Sequence, residues 1–185
     1  MNNLRQIFKE SLGLVEAEKK EEEKQKTFCY MLYVKKDEEN LFSDMQEELD
    51  LKGELVESGS FHCTIRYVKT DKSPEKLLDY LKKHDLPTIK AKTTGFALYG
   101  KEKETLVVEL DSKELHEYFE KINKFLLEND YPKSDFDSFK PHISLTELKN
   151  MDKPEWKKDY EKEITFSLHI VTNTDYEEIF RKSSK

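Results

Sequence analysis

The chain has 185 residues, enough for one ordinary domain or two small lobes around a cleft and too few for two independent domains. Hydrophobic residues make up 36% and charged residues 38%, but 11 Phe and 9 Tyr exclude a typical disordered polyelectrolyte. The formal net charge of -7 argues against non-specific binding of duplex nucleic acid, which depends on Lys and Arg neutralising phosphates. A nucleotide ligand therefore needs a local positive patch.

The N-terminal residues 1–26 differ in character from the rest. Apolar residues at 4, 7, 8, 12 and 15 suit one stripe on a helix, and the run 16–26 carries both charge signs without a large apolar residue. We interpret 1–26 as an amphipathic and charged helical arm, and 27–185 as the functional domain. The N-terminus lacks the apolar segment of a secretion leader, and no run approaches the roughly 18 apolar residues that cross a bilayer. With Cys29 and Cys63 outside any CxxC pair, we expect a cytoplasmic protein with free thiols and no membrane partner.

Strands and helices alternate after residue 27. Apolar and β-branched runs predict strands at 27–34, 61–68, 88–100, 104–110, 139–148 and 164–171. Helical periodicity and end signals predict helices within 37–49, 73–87 and 111–132, the second with Ser73 as N-cap and the third capped by Asp111 or Ser112. The second half repeats the order of the first, including a strand with a histidine followed two residues later by a hydroxyl. This echo predicts two similar lobes.

The two histidine strands have a polar and an apolar face. Because side chains alternate along a strand, His62, Thr64 and Arg66 are predicted to share one face, with Phe61, Cys63, Ile65 and Tyr67 on the other. The same alternation groups Lys140, His142, Ser144 and Thr146 opposite Pro141, Ile143 and Leu145. Each strand thus offers an imidazole, a hydroxyl and a cation on one side.

That inventory fits phosphodiester cleavage. One group must take a proton from the attacking oxygen, another must protonate the leaving oxygen, and the nonbridging oxygens need hydrogen bonds. Histidine can fill either proton-transfer role near neutrality. The hydroxyls of Thr64 and Ser144 are candidate phosphate donors, and Arg66 and Lys140 are candidate cations beside the phosphate. No HExxH or paired-cysteine spacing suggests a metal site.

The motifs HCTI at 62–65 and HISL at 142–145 resemble the paired H-x-[ST]-x motifs of the two-histidine phosphoesterases of LigT type. The resemblance covers residues 27–180. It implies a bilobal α+β fold with two antiparallel sheets around a central cleft, helices outside, and catalysis without metal or cofactor. Carried over, His62 and His142 are the general acid and base in an order that the sequence leaves open, and Thr64 and Ser144 bind the phosphate.

Within that superfamily, the stretch SFHCTIRYV and the Lys-rich, Glu-rich composition most resemble phage-encoded members, among them anti-CBASS enzymes that cleave cyclic oligonucleotides. The resemblance implies such a substrate, and a reaction in the cytoplasm of a bacterial host. Three alternatives stay open. The chain is a phosphodiesterase for RNA 2′,3′-cyclic phosphate ends, a module that sequesters a nucleotide without turnover, or a structural protein docked through its N-terminal helix. The sequence does not indicate an oligomeric state.

Other residues are weaker candidates. Aromatic side chains suited to stacking on bases include Tyr33 and Tyr67, followed by Tyr30, Phe96, Tyr99 and Trp156. His169 lies in a strand but lacks the following hydroxyl, and His84 and His116 fall on predicted helices among Lys and Glu. We expect these three histidines to lie outside the site.

Overall fold

The computed structural model describes residues 27–100, 105–134, 138–148 and 151–184, which form an α+β fold. The predicted N-terminal arm at 1–26 lies outside the described residues. The strands are β1 (Thr27–Val34), β2 (Glu54–Leu55), β3 (His62–Lys69), β4 (Ile89–Tyr99), β5 (Thr105–Asp111), β6 (His142–Glu147), β7 (Glu163–Thr172) and β8 (Glu178–Ser183). The helices are α1 (Asn40–Glu48), α2 (Glu75–Lys83) and α3 (Lys113–Glu128), with 3-10 turns at Lys36–Glu38 and Lys158–Tyr160.

Local sequence explains where the longest helix begins and ends. The Ser112 side chain accepts a hydrogen bond from the Leu115 backbone N–H, so of the two predicted caps Ser112 is the one used. The helix ends at Glu128 with Asn129 as its C-cap, and Asp130 follows with a φ of 61°. Its apolar stripe is buried against the sheet and consists of Leu115, Tyr118, Phe119, Ile122 and Leu126. Within the described ranges, no helix has both the length and the apolar character needed to span a bilayer.

The strands form one antiparallel sheet in the order β2-β6-β5-β4-β7-β1-β3, with β8 also paired to β7. Strand β4 joins the two halves, because Ile89–Lys92 pairs with β7 and Lys92–Tyr99 pairs with β5. The predicted pair of separate sheets is therefore not confirmed. The sheet curves so that Cα atoms of β3 come within 8 Å of Cα atoms of β6. We call the side packed against α2 and α3 the helix-covered face and the opposite side the open face.

A buried hydrogen-bond chain occupies the helix-covered face at His169. Its Nε2 lies 3.0 Å from the Pro87 carbonyl oxygen and its Nδ1 lies 2.6 Å from the Tyr30 hydroxyl, which is 2.7 Å from the Tyr118 hydroxyl. Because a carbonyl only accepts, Nε2 carries the hydrogen, Tyr30 donates to Nδ1, and Tyr118 donates to Tyr30. His169 is completely buried and lies outside the open face. This arrangement requires a neutral imidazole.

The burial of His169 in its neutral form is expected to make the folded state less stable at acidic pH. Burial lowers its pKa from the ordinary value of 6.5 to about 4. Above the ordinary value neither state binds the proton, but below it the unfolded chain is protonated first, so stability falls as pH drops from 6.5 towards 4. We expect His169 to account for a loss of about 2 kcal/mol between about pH 7 and pH 5. Urea unfolding at both pH values gives the free energy of unfolding. Between pH 7 and pH 5 this free energy should fall less for His169→Phe than for the wild-type protein. The matched control is His84→Gln at an exposed position, which should lose as much stability between the two pH values as the wild-type protein. An equal loss in all three proteins would show that His169 is not the group responsible.

Candidate active site

The two histidine motifs lie on β3 and β6, which meet where the curved sheet returns on itself. Cα atoms of β3 come within 8 Å of Cα atoms of β6. Burial lowers the pKa of His62 and the neighbouring His142 imidazole lowers it further, so the two rings lie close together. Burial raises the pKa of Cys63 to about 12, so the thiol stays neutral at this junction. The structure thus brings the two predicted imidazoles together although 80 positions separate them in the sequence.

Both imidazoles are held by the same kind of backbone contact. Nδ1 of His62 lies 2.7 Å from the carbonyl oxygen of Ser60, and Nδ1 of His142 lies 2.7 Å from the carbonyl oxygen of Lys140. Because the carbonyl only accepts, each neutral ring carries its hydrogen on Nδ1 and keeps the lone pair on Nε2. Both histidines therefore present the nitrogen that can take up a proton and, once protonated, deliver it.

Burial lowers the pKa of both histidines. For His62, the nearby His142 imidazole lowers the pKa further, whereas the hydrogen bond to the Ser60 carbonyl raises it and offsets part of the effect of burial. For His142, the hydrogen bond to the Lys140 carbonyl and the negative charge of Glu109 both raise the pKa and offset part of the effect of burial. Both rings are therefore mainly neutral near pH 7 in the free protein. A bound phosphate would favour the protonated form of either ring through its negative charge.

Thr64 and Ser144 lie on the same face as the histidines that precede them by two positions. Both side chains are half-buried. The Thr64 Oγ1 lies 4.0 Å from the Cys29 sulfur on the neighbouring strand. Burial raises the pKa of Cys29 to about 11, so that thiol adds no negative charge beside the hydroxyl. The four residues predicted to be catalytic thus line one face of the sheet.

A tyrosine lies beside each histidine. Tyr33 is opposite His62 in the β1–β3 ladder, and the two rings stack with centroids 5.2 Å apart and an interplanar angle of 26°. Tyr99 meets the His142 ring edge-on, at 4.8 Å and 75°. The Tyr99 hydroxyl is buried and has no hydrogen-bond partner among the described residues. Tyr33, a predicted substrate-binding residue, and Tyr99, a weaker candidate, are both at the site.

Arg66 is not on the face of the motif side chains, and that prediction is wrong. In the β1–β3 ladder Tyr30 pairs with Arg66 and Met31 pairs with Thr64, so Ile65 is an extra residue in a β-bulge. The extra residue reverses the alternation of side chains beyond it. Arg66 is consequently only 2% exposed and points to the helix-covered face.

The contacts of Arg66 are structural. Its Nε donates to the Asn123 side chain at 3.2 Å, Nη1 to the Tyr67 carbonyl at 3.2 Å, and Nη2 to the Pro132 carbonyl at 2.7 Å. Asn123 belongs to α3, and Pro132 follows that helix. The guanidinium therefore ties β3 to α3 and to the segment after it, which contradicts the predicted role of Arg66 in binding phosphate.

Strand β6 has the same irregularity at the same motif position. Leu106 pairs with Thr146 and Val107 pairs with Ser144, so Leu145 is the extra residue. Thr146 is completely buried and its hydroxyl donates to a backbone carbonyl at 2.8 Å, which corrects the prediction that it shares the face of His142. In both motifs, the residue after the bulge belongs to the core.

The bulge also relocates Tyr67. Simple alternation assigned it to the apolar face, whereas the structure places it on the open face, 37% exposed. Its ring is therefore accessible to solvent, and its stacking on a base stays a prediction. Lys140 has an exposed side chain just before β6, and its carbonyl holds His142. A contact between the Lys140 ammonium and phosphate stays a prediction.

Sequence reasoning assigned no role to Glu109. This half-buried residue pairs with His142 in the β5–β6 ladder and with Gly95 in the β4–β5 ladder. A signal was present, because Glu109 is the one charged residue in the apolar run Leu106–Leu110. A lone carboxylate in a strand indicates a special environment, but only the register shows which side chain it faces.

Paired imidazole and hydroxyl groups on two related strands of an α+β sheet are the arrangement of the two-histidine phosphoesterases, and several solved structures share the fold. The crystal structure of TT0787 from Thermus thermophilus has a TM-score of 0.63 at 15% identity, covering 85% of this chain and 97% of that one. A crystal structure of a phosphoesterase has a TM-score of 0.60 at 11% identity and covers 87% of this chain and 99% of its own. The crystal structure of E. coli LigT complexed with 3′-AMP has a TM-score of 0.58 at 12% identity and covers 86% of this chain and 98% of its own. These similarities establish the fold.

The chain belongs to the family of the anti-CBASS protein Acb1, whose model matches residues 28–180. The resemblance predicted from the two motifs is thereby confirmed, both for the superfamily and for the anti-CBASS branch. No curated protein matches the chain significantly.

Proposed function

We propose that this chain is a metal-independent phosphodiesterase that cleaves a nucleotide phosphodiester, with the cyclic oligonucleotide signals of anti-phage defence as substrates in the bacterial cytoplasm. The single observation that carries the proposal is a pair of neighbouring imidazoles, each with Nδ1 held by a backbone carbonyl and with no hydrogen bond to Nε2 among the described residues. Family membership supports the choice of substrate. The curvature that brings β3 to β6 supports a cleft between the two halves of the sheet.

The chemistry follows from the two free nitrogens. One Nε2 removes the proton from the attacking oxygen as that oxygen bonds to phosphorus, and the other Nε2–H protonates the leaving oxygen as its bond to phosphorus breaks. The hydroxyls of Thr64 and Ser144 donate to the nonbridging oxygens. In a 3′,5′-linked ring the neighbouring ribose 2′-hydroxyl is the nucleophile, and water then opens the 2′,3′-cyclic phosphate.

Aromatic residues on the open face supply the binding surface for bases. Tyr33 stacks on His62, and Tyr67 is exposed on the same strand as His62. Stacking of a base on an aromatic ring contributes about 1–3 kcal/mol in single-strand binders. Lys140 is the candidate cation for the phosphate now that Arg66 is excluded.

An RNA 2′,3′-cyclic phosphodiesterase is the second candidate, favoured by one observation. E. coli LigT, which shares the fold, crystallises with 3′-AMP, a nucleotide that carries its phosphate on the 3′ position. Water would then be the nucleophile at the same four side chains. A module that only sequesters a nucleotide fits less well, because binding alone does not require two imidazoles that each present a proton-transfer nitrogen.

The test is a substrate panel with the full chain. Cyclic dinucleotides, cyclic trinucleotides and RNA ending in a 2′,3′-cyclic phosphate are incubated with the protein, with and without excess EDTA, and products are resolved by chromatography. We expect cleavage of at least one cyclic oligonucleotide at a rate that EDTA leaves unchanged. Turnover of the RNA end alone would select the second candidate. Recovery of intact ligand from the denatured protein would select the sequestering module, and loss of cleavage in EDTA would contradict metal independence.

A further inference from the structure

The two histidines have different neighbours across their ladders. His62 faces Tyr33, a neutral aromatic ring, whereas His142 faces Glu109, a carboxylate. The rest of the site is close to symmetrical, since each histidine has a carbonyl on Nδ1, a hydroxyl two residues later and a bulge after that. The halves also differ in the exposed ammonium of Lys140 beside His142, but the carboxylate of Glu109 is the charge that acts on the His142 pKa.

Glu109 lies close to His142 without holding it by a hydrogen bond. The carboxylate extends towards β4, where a Cβ built on Gly95 would be 3.6 Å from Glu109 Oε2. The Nδ1 hydrogen of His142 is already donated to Lys140. Burial raises the pKa of Tyr99, and the negative charge of Glu109 raises it further, so the carboxylate is close to both aromatic and imidazole rings at this corner of the site. Glu109 therefore influences His142 through its electric field.

A carboxylate beside a phosphate site has a cost that needs an explanation. Two negative groups repel each other strongly in a partly desolvated cleft, so Glu109 alone would weaken binding of an anionic substrate. The cost disappears if a positive charge lies between them. A protonated His142 provides that charge, because its imidazolium then lies between the Glu109 carboxylate and the phosphate.

The other groups that face the two histidines do not reverse this difference. His142 is approached by Tyr99 from β4, by Cys63 and His62 from β3, and by Lys140 from its own segment. His62 is approached by Tyr33 from β1 and by His142 from β6. Of these groups, the tyrosines and the thiol are neutral near pH 7. Beyond Tyr33, the guanidinium of Arg181 is paired with the carboxylate of Glu178.

We propose that Glu109 is a positioning residue that makes His142 the general acid of the reaction and leaves His62 as the general base. This inference rests on the proposed phosphodiesterase function. In the step it describes, Nε2 of His62 accepts the proton of the attacking hydroxyl while that oxygen bonds to phosphorus. The bond from phosphorus to the leaving oxygen breaks, and that oxygen receives the proton from Nε2 of His142.

The first experiment measures the two histidines without turnover. NMR titration of imidazole signals in wild-type protein, Glu109→Gln and Glu109→Asp follows each ring, with signals assigned from His62→Ala and His142→Ala. We expect Glu109→Gln to lower the pKa of His142 and to leave that of His62 nearly unchanged, and Glu109→Asp to retain most of the wild-type value. Asp111→Asn removes a charge from the same strand and is the matched control. An unchanged His142 in Glu109→Gln, or an equal change in Asp111→Asn, would overturn the role of Glu109.

The second experiment identifies the acid by its leaving group. A nucleoside 3′-(p-nitrophenyl phosphate) has a 2′-hydroxyl nucleophile, and its nitrophenolate departs without a proton. On a natural diester both histidine variants should lose about 10²- to 10⁴-fold. On the nitrophenyl ester His142→Ala should recover to within about tenfold of wild type, whereas His62→Ala should stay impaired. Recovery of His62→Ala instead would assign the roles the other way round.

The pH profile connects the two results. Glu109→Gln should move the alkaline limb of kcat/KM on the natural diester to lower pH, and should lower the rate at alkaline pH by roughly three- to tenfold. The effect should vanish on the nitrophenyl ester. If both histidine variants keep wild-type activity on every substrate, the proposed function itself fails. If they are inactive on the natural diester but Glu109→Gln has a wild-type profile, only this inference fails.

Discussion

His62→Ala and His142→Ala are each expected to slow cleavage of the preferred phosphodiester by about 10²- to 10⁴-fold, the usual effect of losing a general acid or base. In the proposed mechanism each Nε2 handles one of the two protons that must move, so we expect that neither histidine can replace the other. The measurement is a single-turnover rate with enzyme in excess, which separates chemistry from product release.

The control for these variants must show that the fold survives. His116→Ala changes an exposed histidine on α3 and should keep the wild-type rate. The two active-site variants should unfold at urea concentrations close to wild type, because both rings are on the open face and each makes one hydrogen bond to a nearby carbonyl. A folded variant of either histidine with an unchanged rate would remove that residue from the mechanism.

Arg66→Met is expected to destabilise the protein by about 3 kcal/mol or more, since a hydrogen bond from a charged donor contributes roughly 1.5–3 kcal/mol. The substitution keeps most of the side-chain length but removes the donors to Asn123, Tyr67 and Pro132. Urea unfolding measures the loss. The folded fraction should retain wild-type kcat and KM, because the guanidinium does not reach the open face.

Lys140→Met is the matched variant, since it removes an exposed cation next to His142. Its expected pattern is the reverse, with wild-type stability and a raised KM. Together the pair separates a structural cation from one that binds phosphate. Wild-type stability combined with a raised KM in Arg66→Met would restore the phosphate contact inferred from alternation alone.

Local patterns predicted most of the scaffold. The helical periodicity and the serine at the start of α3 give that helix correctly, because capping and amphipathicity depend on neighbours within one turn. The two motifs were recognisable because a histidine and a hydroxyl two residues apart on a strand must share a face. His62, Thr64, His142 and Ser144 accordingly meet on one face of the sheet.

Arg66 and Glu109 show what such patterns leave out. The bulge at Ile65 arises from the pairing of β3 with β1, residues that are distant in sequence, and one extra residue is enough to move Arg66 to the other face. Glu109 faces His142 only because β5 and β6 pair in one particular register. The continuity of the sheet likewise depends on which strands β4 selects as partners, a choice made by tertiary packing.

Strand β4 is shared by both halves of the sheet, so it helps to set the distance between the two histidine motifs. It changes partners at Lys92, so its two ends carry the two halves in a fixed relation. If the two imidazoles act as proposed, this continuity would favour their preassembly, so that productive alignment would not have to wait for a hinge to close around each substrate. A substitution that alters the bend of β4 near Lys92 would change the distance between the two imidazoles. It would lower the rate of cleavage without changing any group that contacts the substrate.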